Sequence, residues 1–371
     1  MREYLLVFVV AAVMTYAATP FVRWLAFRTG AITAVRDRDI HTIPIPRLGG
    51  VAMLFGFIGA LVVASRLPYL SQIFQGGEMM GVLIGAVLVC AVGVLDDIRE
   101  LDWLTKLAGQ MLAAGVMAFQ GVQLLSLPLF GVTVLPAALL LTLTILTVIV
   151  SSNAVNFIDG LDGLAAGVVA IAGLAFFSYS YLLSRTYDPP NVFSSATFIT
   201  AALVGCCVGF LPHNFHPARL FMGDSGSLML GLLLAAATIS MTGNIDPSVP
   251  VGGNAAVAIL LPVVLPLAIM SLPLLDVLLA VVRRTRAGRR PWHPDAEHLH
   301  HRMLRIGHTH MQAVLLLYLW AAVVALGVVS FAFVDGWLPL VVIMVVALSA
   351  AVLTLWLPRW MPTRRPEVHK P

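Results

Sequence analysis

Five polar clusters interrupt an otherwise strongly apolar chain, and their residue types are those that hold cations or anions. The densest runs from Asn153 to Gly167 as Asn-Ala-Val-Asn-Phe-Ile-Asp-Gly-Leu-Asp-Gly-Leu-Ala-Ala-Gly. Asn153, Asn156, Asp159 and Asp162 each lie three residues from the last, which on a helix makes one slowly drifting polar stripe. A charge in hydrocarbon costs about 3 kcal/mol or more, so the stripe requires water, an ion or a partner. We expect it to face a site that handles phosphate and a metal.

The other clusters carry complementary chemistry. Asp96 and Asp97 close an apolar helix, where the macrodipole disfavours carboxylates; a metal or a proton would give them a purpose. Lys106 and Gln110 follow, one turn apart on the next helix. Asp224 and Ser225 open another span within Phe-Met-Gly-Asp-Ser-Gly-Ser. They suit a helix cap, and Asp224 also suits a hard divalent cation while the free N–H groups face phosphate. The loop before Gly49-Gly50 offers Arg38, His41 and Arg47 as phosphate ligands. The last cluster begins at Asp276 and ends in His298-Leu-His-His-Arg302. Without cysteine partners and with oxygen donors elsewhere, this set favours magnesium over zinc; His298, His300, His301 and Arg302 suit hydrogen bonds to an anionic nucleotide sugar. Each cluster also has a plainer reading as a cap, loop polarity, contact between packed helices or topology control.

The elements that must position these residues are membrane helices. Hydrophobic residues make up 60% of the 371 and charged residues 11%, a balance that excludes an ordinary soluble domain. Apolar runs predict an all-α, polytopic chain with about eleven transmembrane helices, near 4–27, 48–65, 79–95, 107–122, 134–151, 164–183, 196–211, 226–242, 255–282, 312–333 and 338–357. The first run shows no clear cleavage site and is read as a retained span. Of the 22 Lys and Arg, all but Arg2, Arg66 and Arg185 fall in one set of loops. The positive-inside rule then puts the N-terminus outside and the C-terminus in the cytoplasm. All five clusters consequently share the cytoplasmic face, in loops near 28–47, 96–106, 152–163, 212–225 and 283–311, with a basic tail at 358–371. No polar segment is long enough for an independent core, so the chain reads as one catalytic transmembrane domain. Cys90, Cys206 and Cys207 all lie in apolar runs and suggest no disulfide.

Taken in order, Asp96-Asp97, the Asn153–Leu164 stretch, Phe221–Ser227 and His298–His301 resemble the polyprenyl-phosphate N-acetylhexosamine-1-phosphate transferases, glycosyltransferase family 4. The resemblance covers nearly the whole chain. Ile43-Pro-Ile-Pro-Arg-Leu-Gly-Gly50 and the Asp295–His301 element are similar to the branch that uses UDP-N-acetylglucosamine (UDP-GlcNAc), rather than to the muramyl-pentapeptide branch. It implies a magnesium-dependent enzyme of the plasma membrane, with manganese as a substitute ion, often dimeric. Its partners are UDP-GlcNAc and a polyprenyl phosphate in the bilayer, with no nucleic acid. Transfer of GlcNAc-1-phosphate would release UMP, by direct attack or through a covalent Asp intermediate, of which we favour the first. The resemblance points to Asp224 and Asn156 for the metal and to Asp96 and Asp97 for the lipid phosphate. Asn153, Asp159, Asp162, Lys106 and Asp276 join the substrate site. A transporter or flippase remains the alternative from another class, with prolines in the ninth span in its favour. A sibling enzyme with another UDP-sugar is a third reading.

Overall fold

The computed structural model describes residues 1–33, 44–125, 135–186, 194–242, 299–334 and 336–360, and a few positions between 278 and 288. Its helices are α1 (Arg2–Thr29), α2 (Gly49–Ala64), α3 (Glu78–Arg99), α4 (Trp103–Phe119), α5 (Ala137–Ile158) and α6 (Leu164–Thr186). They continue as α7 (Ser194–Asn214), α8 (Gly223–Thr242), α9 (Leu299–Ile306), α10 (His310–Phe333) and α11 (Leu338–Trp360). Among the described residues, eight helices are long and apolar enough to cross a membrane, and α2 is a shorter apolar helix. The chain is a multi-pass, all-α membrane protein. One small departure is a two-residue antiparallel pair, β1 (Ile32–Thr33) with β2 (Ile45–Pro46), which ties the end of α1 to the start of α2. The expected span at 255–282 and the tail from 361 lie outside the described residues.

The helix ends explain where the polar residues fall. Asp102 starts α4 earlier than the apolar pattern suggests, because its carboxylate accepts from the Leu104 and Thr105 N–H groups at 3.0 and 3.1 Å. α5 runs past the expected 151 to Ile158. Its Ser151 and Ser152 hydroxyls donate to the Gly231 and Leu228 carbonyls of α8 at 2.8 and 3.1 Å, so these polar groups are satisfied inside the bundle. Asn153 and Asn156 therefore sit on α5, whereas Asp159 lies just past its end and Asp162 in the following turn. The four do not form one helical stripe.

α8 is the central helix, almost wholly buried and surrounded by α2, α3, α5, α6 and α7. Its first turn is pressed between Gly50 of α2 and Gly93 of α3. A Cβ at either glycine would overlap the Ser225–Gly226 backbone. Gly49 and Gly50 also donate to the Phe221 and Met222 carbonyls, both at 3.0 Å. A smaller apolar cluster joins Leu161, Leu164 and Val168 to Met303 of α9 and to Ala313 and Leu317 of α10. It fixes the end of the His-Leu-His-His segment beside the α5–α6 turn.

Candidate functional site

The start of α8 gathers side chains from four helices. Lys106 of α4 bridges Asp96 of α3, at 3.2 Å, and Asp224 of α8. Asn156 of α5 donates from Nδ2 to Asp224 Oδ1 and to Ser227 Oγ, both at 2.9 Å. Asn153 donates to Gln110 Oε1 at 2.6 Å, closing the α4–α5 side of the cluster. Lys106, Asp96 and Asp224 are all half-buried, their side chains between 18 and 19% exposed. They remain open to an incoming ligand yet are screened less than a surface pair.

Asp97 is different from its neighbour. Its two carboxylate oxygens accept from the backbone N–H groups of Asp224 and Ser225, at 3.0 and 3.1 Å. The adjacent carboxylates at the end of α3 thus divide their tasks. Asp97, disfavoured by the dipole of its own helix, reaches the N-terminus of α8, where an anion is favoured. Asp96 stays with Lys106. Gly223 stands at φ +69°, and a Cβ there would run into the Asp97 carboxylate. The glycine is required by its backbone angle and by the close approach.

Around this centre, the charge of Arg47 acts on Asp159. Burial pushes the Asp159 carboxyl up to about 7, opposed by Arg47 and reinforced by Asp97 and Asp162. Asp159 is therefore poised to change charge near neutral pH.

Asp162 belongs to a second, tighter cluster. It is 2% exposed, and its Oδ2 lies 2.8 Å from His216 Nδ1 and accepts from the Ala218 N–H at 3.1 Å. The Asp162 N–H donates to His310 Nε2 at 3.1 Å, and the His216 and His310 rings stack with centroids 4.3 Å apart. Gly163 is held by Asn214 Oδ1 at 3.0 Å and by the Tyr318 hydroxyl at 2.5 Å. Asp162, His216 and His310 could geometrically hold a metal, but the shared oxygen is already a hydrogen-bond acceptor for the 216–218 turn.

Of the residues singled out in the sequence, Asp96, Asp97, Lys106, Asn153, Asn156 and Asp224 come together directly. Arg47 and Asp159 lie at their margin. Asp162 is set apart from them under the histidine pair. Arg302 is exposed on α9. His300 and His301 lie on that helix, their side chains outside the described residues, as are Arg38, His41, Asp276 and His298. His216, His310 and Ser227 were not singled out. His216 stands in the His-Asn-Phe-His-Pro run and Ser227 within the Asp224 motif, so both carried a local signal. His310 begins α10 far along the chain, and its role needs the tertiary contact.

A resident divalent ion would find a fitting donor set here. Asp96 and Asp224 outnumber the single Lys106 ammonium and offer hard oxygens of the kind that magnesium prefers, while both Asp97 oxygens are taken up by the start of α8.

The chain belongs to glycosyl transferase family 4, whose profile matches residues 79–242. It is 45% identical to the decaprenyl-phosphate N-acetylglucosaminephosphotransferase of Mycolicibacterium smegmatis over 362 residues, 96% of this chain and 88% of that protein. It is 46% identical to the protein of the same name from Mycobacterium tuberculosis, over 89% of this chain and 83% of the relative. A more distant relative is the probable undecaprenyl-phosphate N-acetylglucosaminyl 1-phosphate transferase of Bacillus subtilis, 28% identical over 91% of this chain and 87% of its own length.

Proposed function

We propose that this protein transfers GlcNAc-1-phosphate from UDP-GlcNAc to a polyprenyl phosphate, giving polyprenyl-diphosphate-GlcNAc and UMP. The observation that carries the reading is the convergence of Asp96, Lys106, Asn156 and Asp224 at one end of the bundle, where a lipid phosphate and a water-soluble nucleotide can meet. The charge bias of the loops makes that end the cytoplasmic face.

An oxygen of the lipid phosphate attacks the phosphorus that bears the sugar. The phosphoanhydride to UMP breaks as the new one forms. The acceptor phosphate is already largely ionised near neutral pH, so catalysis consists mainly of aligning and neutralising two anions. Asp224 and Asn156 would hold a magnesium ion, or manganese in its place, which supplies charge neutralisation on the diphosphate. Lys106, freed from one of its two carboxylates, neutralises phosphate. Asp96 orients the acceptor and takes its residual proton. Asp97 acts through the start of α8, fixing the backbone that carries Asp224. Arg47 and Asp159 border the nucleotide, and Asp162 shapes that end by holding the α5–α6 turn. The resemblance would give His298, His300, His301 and Arg302 the sugar diphosphate to bind.

UMP release in detergent, with UDP-GlcNAc, polyprenyl phosphate and magnesium, tests the assignment. Asp224→Ala and Asp97→Asn should both lose turnover while remaining folded. Wild-type rates in both would overturn it. A panel of UDP-sugars in the same assay fixes the donor.

A further inference from the structure

A second cationic site lies at the same end of the bundle, on α1 and α7 rather than on the helices that carry Lys106 and Asp224. Thr19, Pro20, Arg23, His213, Arg219 and Leu220 enclose a cavity of about 140 Å³. The Arg219 backbone N–H donates to the His213 carbonyl at 2.9 Å, which ties the segment after α7 to the last turn of that helix. Tyr16 packs on the His213 ring at 4.7 Å. His213 Nε2 is buried, and the Arg23 guanidinium lies over the Phe27 ring at 5.7 Å. No described carboxylate pairs with Arg23 or Arg219. Beside the cavity, exposed Phe21 and Trp24 stack at 5.7 Å, and Arg28 lies over Trp24 at 5.0 Å. Such an aromatic and cationic belt marks the headgroup level of a membrane.

We propose that this cavity binds the phosphate headgroup of an anionic phospholipid, whose acyl chains lie along the apolar outer face of α1. Arg23, Arg219 and His213 all line it, and guanidinium groups are donors matched to phosphate oxygens. Basic pockets between membrane helices on the cytoplasmic side take lipid headgroups in this way. Topology control requires positive charge but not two arginines and a histidine lining one cavity. The polyprenyl phosphate acceptor is a different lipid anion, and its phosphate must reach Lys106, which contributes nothing to this cavity.

Delipidated protein in detergent tests the proposal by thermal unfolding with phosphatidylglycerol, phosphatidylcholine or inorganic phosphate. Phosphatidylglycerol should raise the Tm of the wild type, and the other two should not. The double variant Arg23→Gln/Arg219→Gln should lose that response while retaining UMP release in phosphatidylcholine vesicles. Arg28→Gln removes one charge outside the cavity, the match for Arg23→Gln, and should keep the response. Arg23→Gln alone, at an exposed position, should weaken it and guards against misfolding of the double variant. An undiminished response in both Arg23 variants overturns the site. Loss of the response in Arg28→Gln reduces it to general surface charge. An equal response to inorganic phosphate makes it a free-anion site. A raised KM for polyprenyl phosphate with an intact phosphatidylglycerol response assigns it to the acceptor. Each of these last three also overturns the proposal.

Discussion

The two carboxylate clusters at this end of the bundle differ in what surrounds them. Around Asp224 the partners are side chains that can move: the Lys106 ammonium, the Asn156 amide and the neighbouring Asp96, all half-buried. Around Asp162 the partners include the Ala218 backbone N–H and a stacked histidine pair, with the carboxylate almost sealed. On the proposed function, the same residue type, in the same motif-rich region, serves chemistry in one place and architecture in the other. Accessibility and rearrangeable partners separate the two; charge alone does not.

This contrast can be broken by substitution. Among the partners of Asp224, the largest effect is expected at Lys106. Lys106→Met removes the cation between two half-buried carboxylates and should lower UMP release on the order of 100-fold, with the protein still folded. A rate near wild type would remove Lys106 from the reaction centre. Next, Gly223→Ala places a methyl against the Asp97 carboxylate at a backbone angle unfavourable to alanine. It should reduce turnover about 10-fold, with a modest fall in Tm, and equal rates would mean that the Asp97 cap does not position Asp224.

On the other side of the comparison, Asp162→Ala leaves the Ala218 N–H and His216 without their acceptor. An unsatisfied buried group costs about 1–3 kcal/mol, so Tm should drop clearly while the turnover of the folded fraction falls much less than in Lys106→Met. The smallest effect belongs to Asp159. Its carboxyl, pushed up to about 7 by burial, is neutral below that pH and anionic above it. Rising pH therefore adds negative charge beside an anionic nucleotide and should weaken UDP binding a few-fold between about pH 6 and 8. Asp159→Asn should flatten the profile, as read by calorimetric titration, whereas an unchanged profile would place Asp159 away from the nucleotide.

Much of the architecture was legible in the sequence because hydropathy reports membrane helices directly. Ten of the eleven expected spans are helices within the described residues, and eight of these, all but α2 and α4, are long and apolar enough to cross a membrane. Their ends were less legible, since Asp102 and the Ser151–Ser152 pair extend helices through capping and interhelical hydrogen bonds that hydropathy does not register. The same limit applied to the site. Asp96, Lys106, Asn156 and Asp224 stood out as costly polar groups in apolar surroundings. The division between Asp96 and Asp97 did not, because it depends on where the N-terminus of α8 lies in space. Period-three spacing also overstated the stripe, as α5 ends before Asp159.

The most direct measurement compares UMP release by Asp224→Asn and Asp162→Asn, each normalised to folded protein, with UDP-GlcNAc, polyprenyl phosphate and magnesium. The account predicts a loss on the order of 1,000-fold for Asp224→Asn and a loss under about 10-fold for Asp162→Asn. Comparable losses in both, or the larger loss in Asp162→Asn, would contradict it.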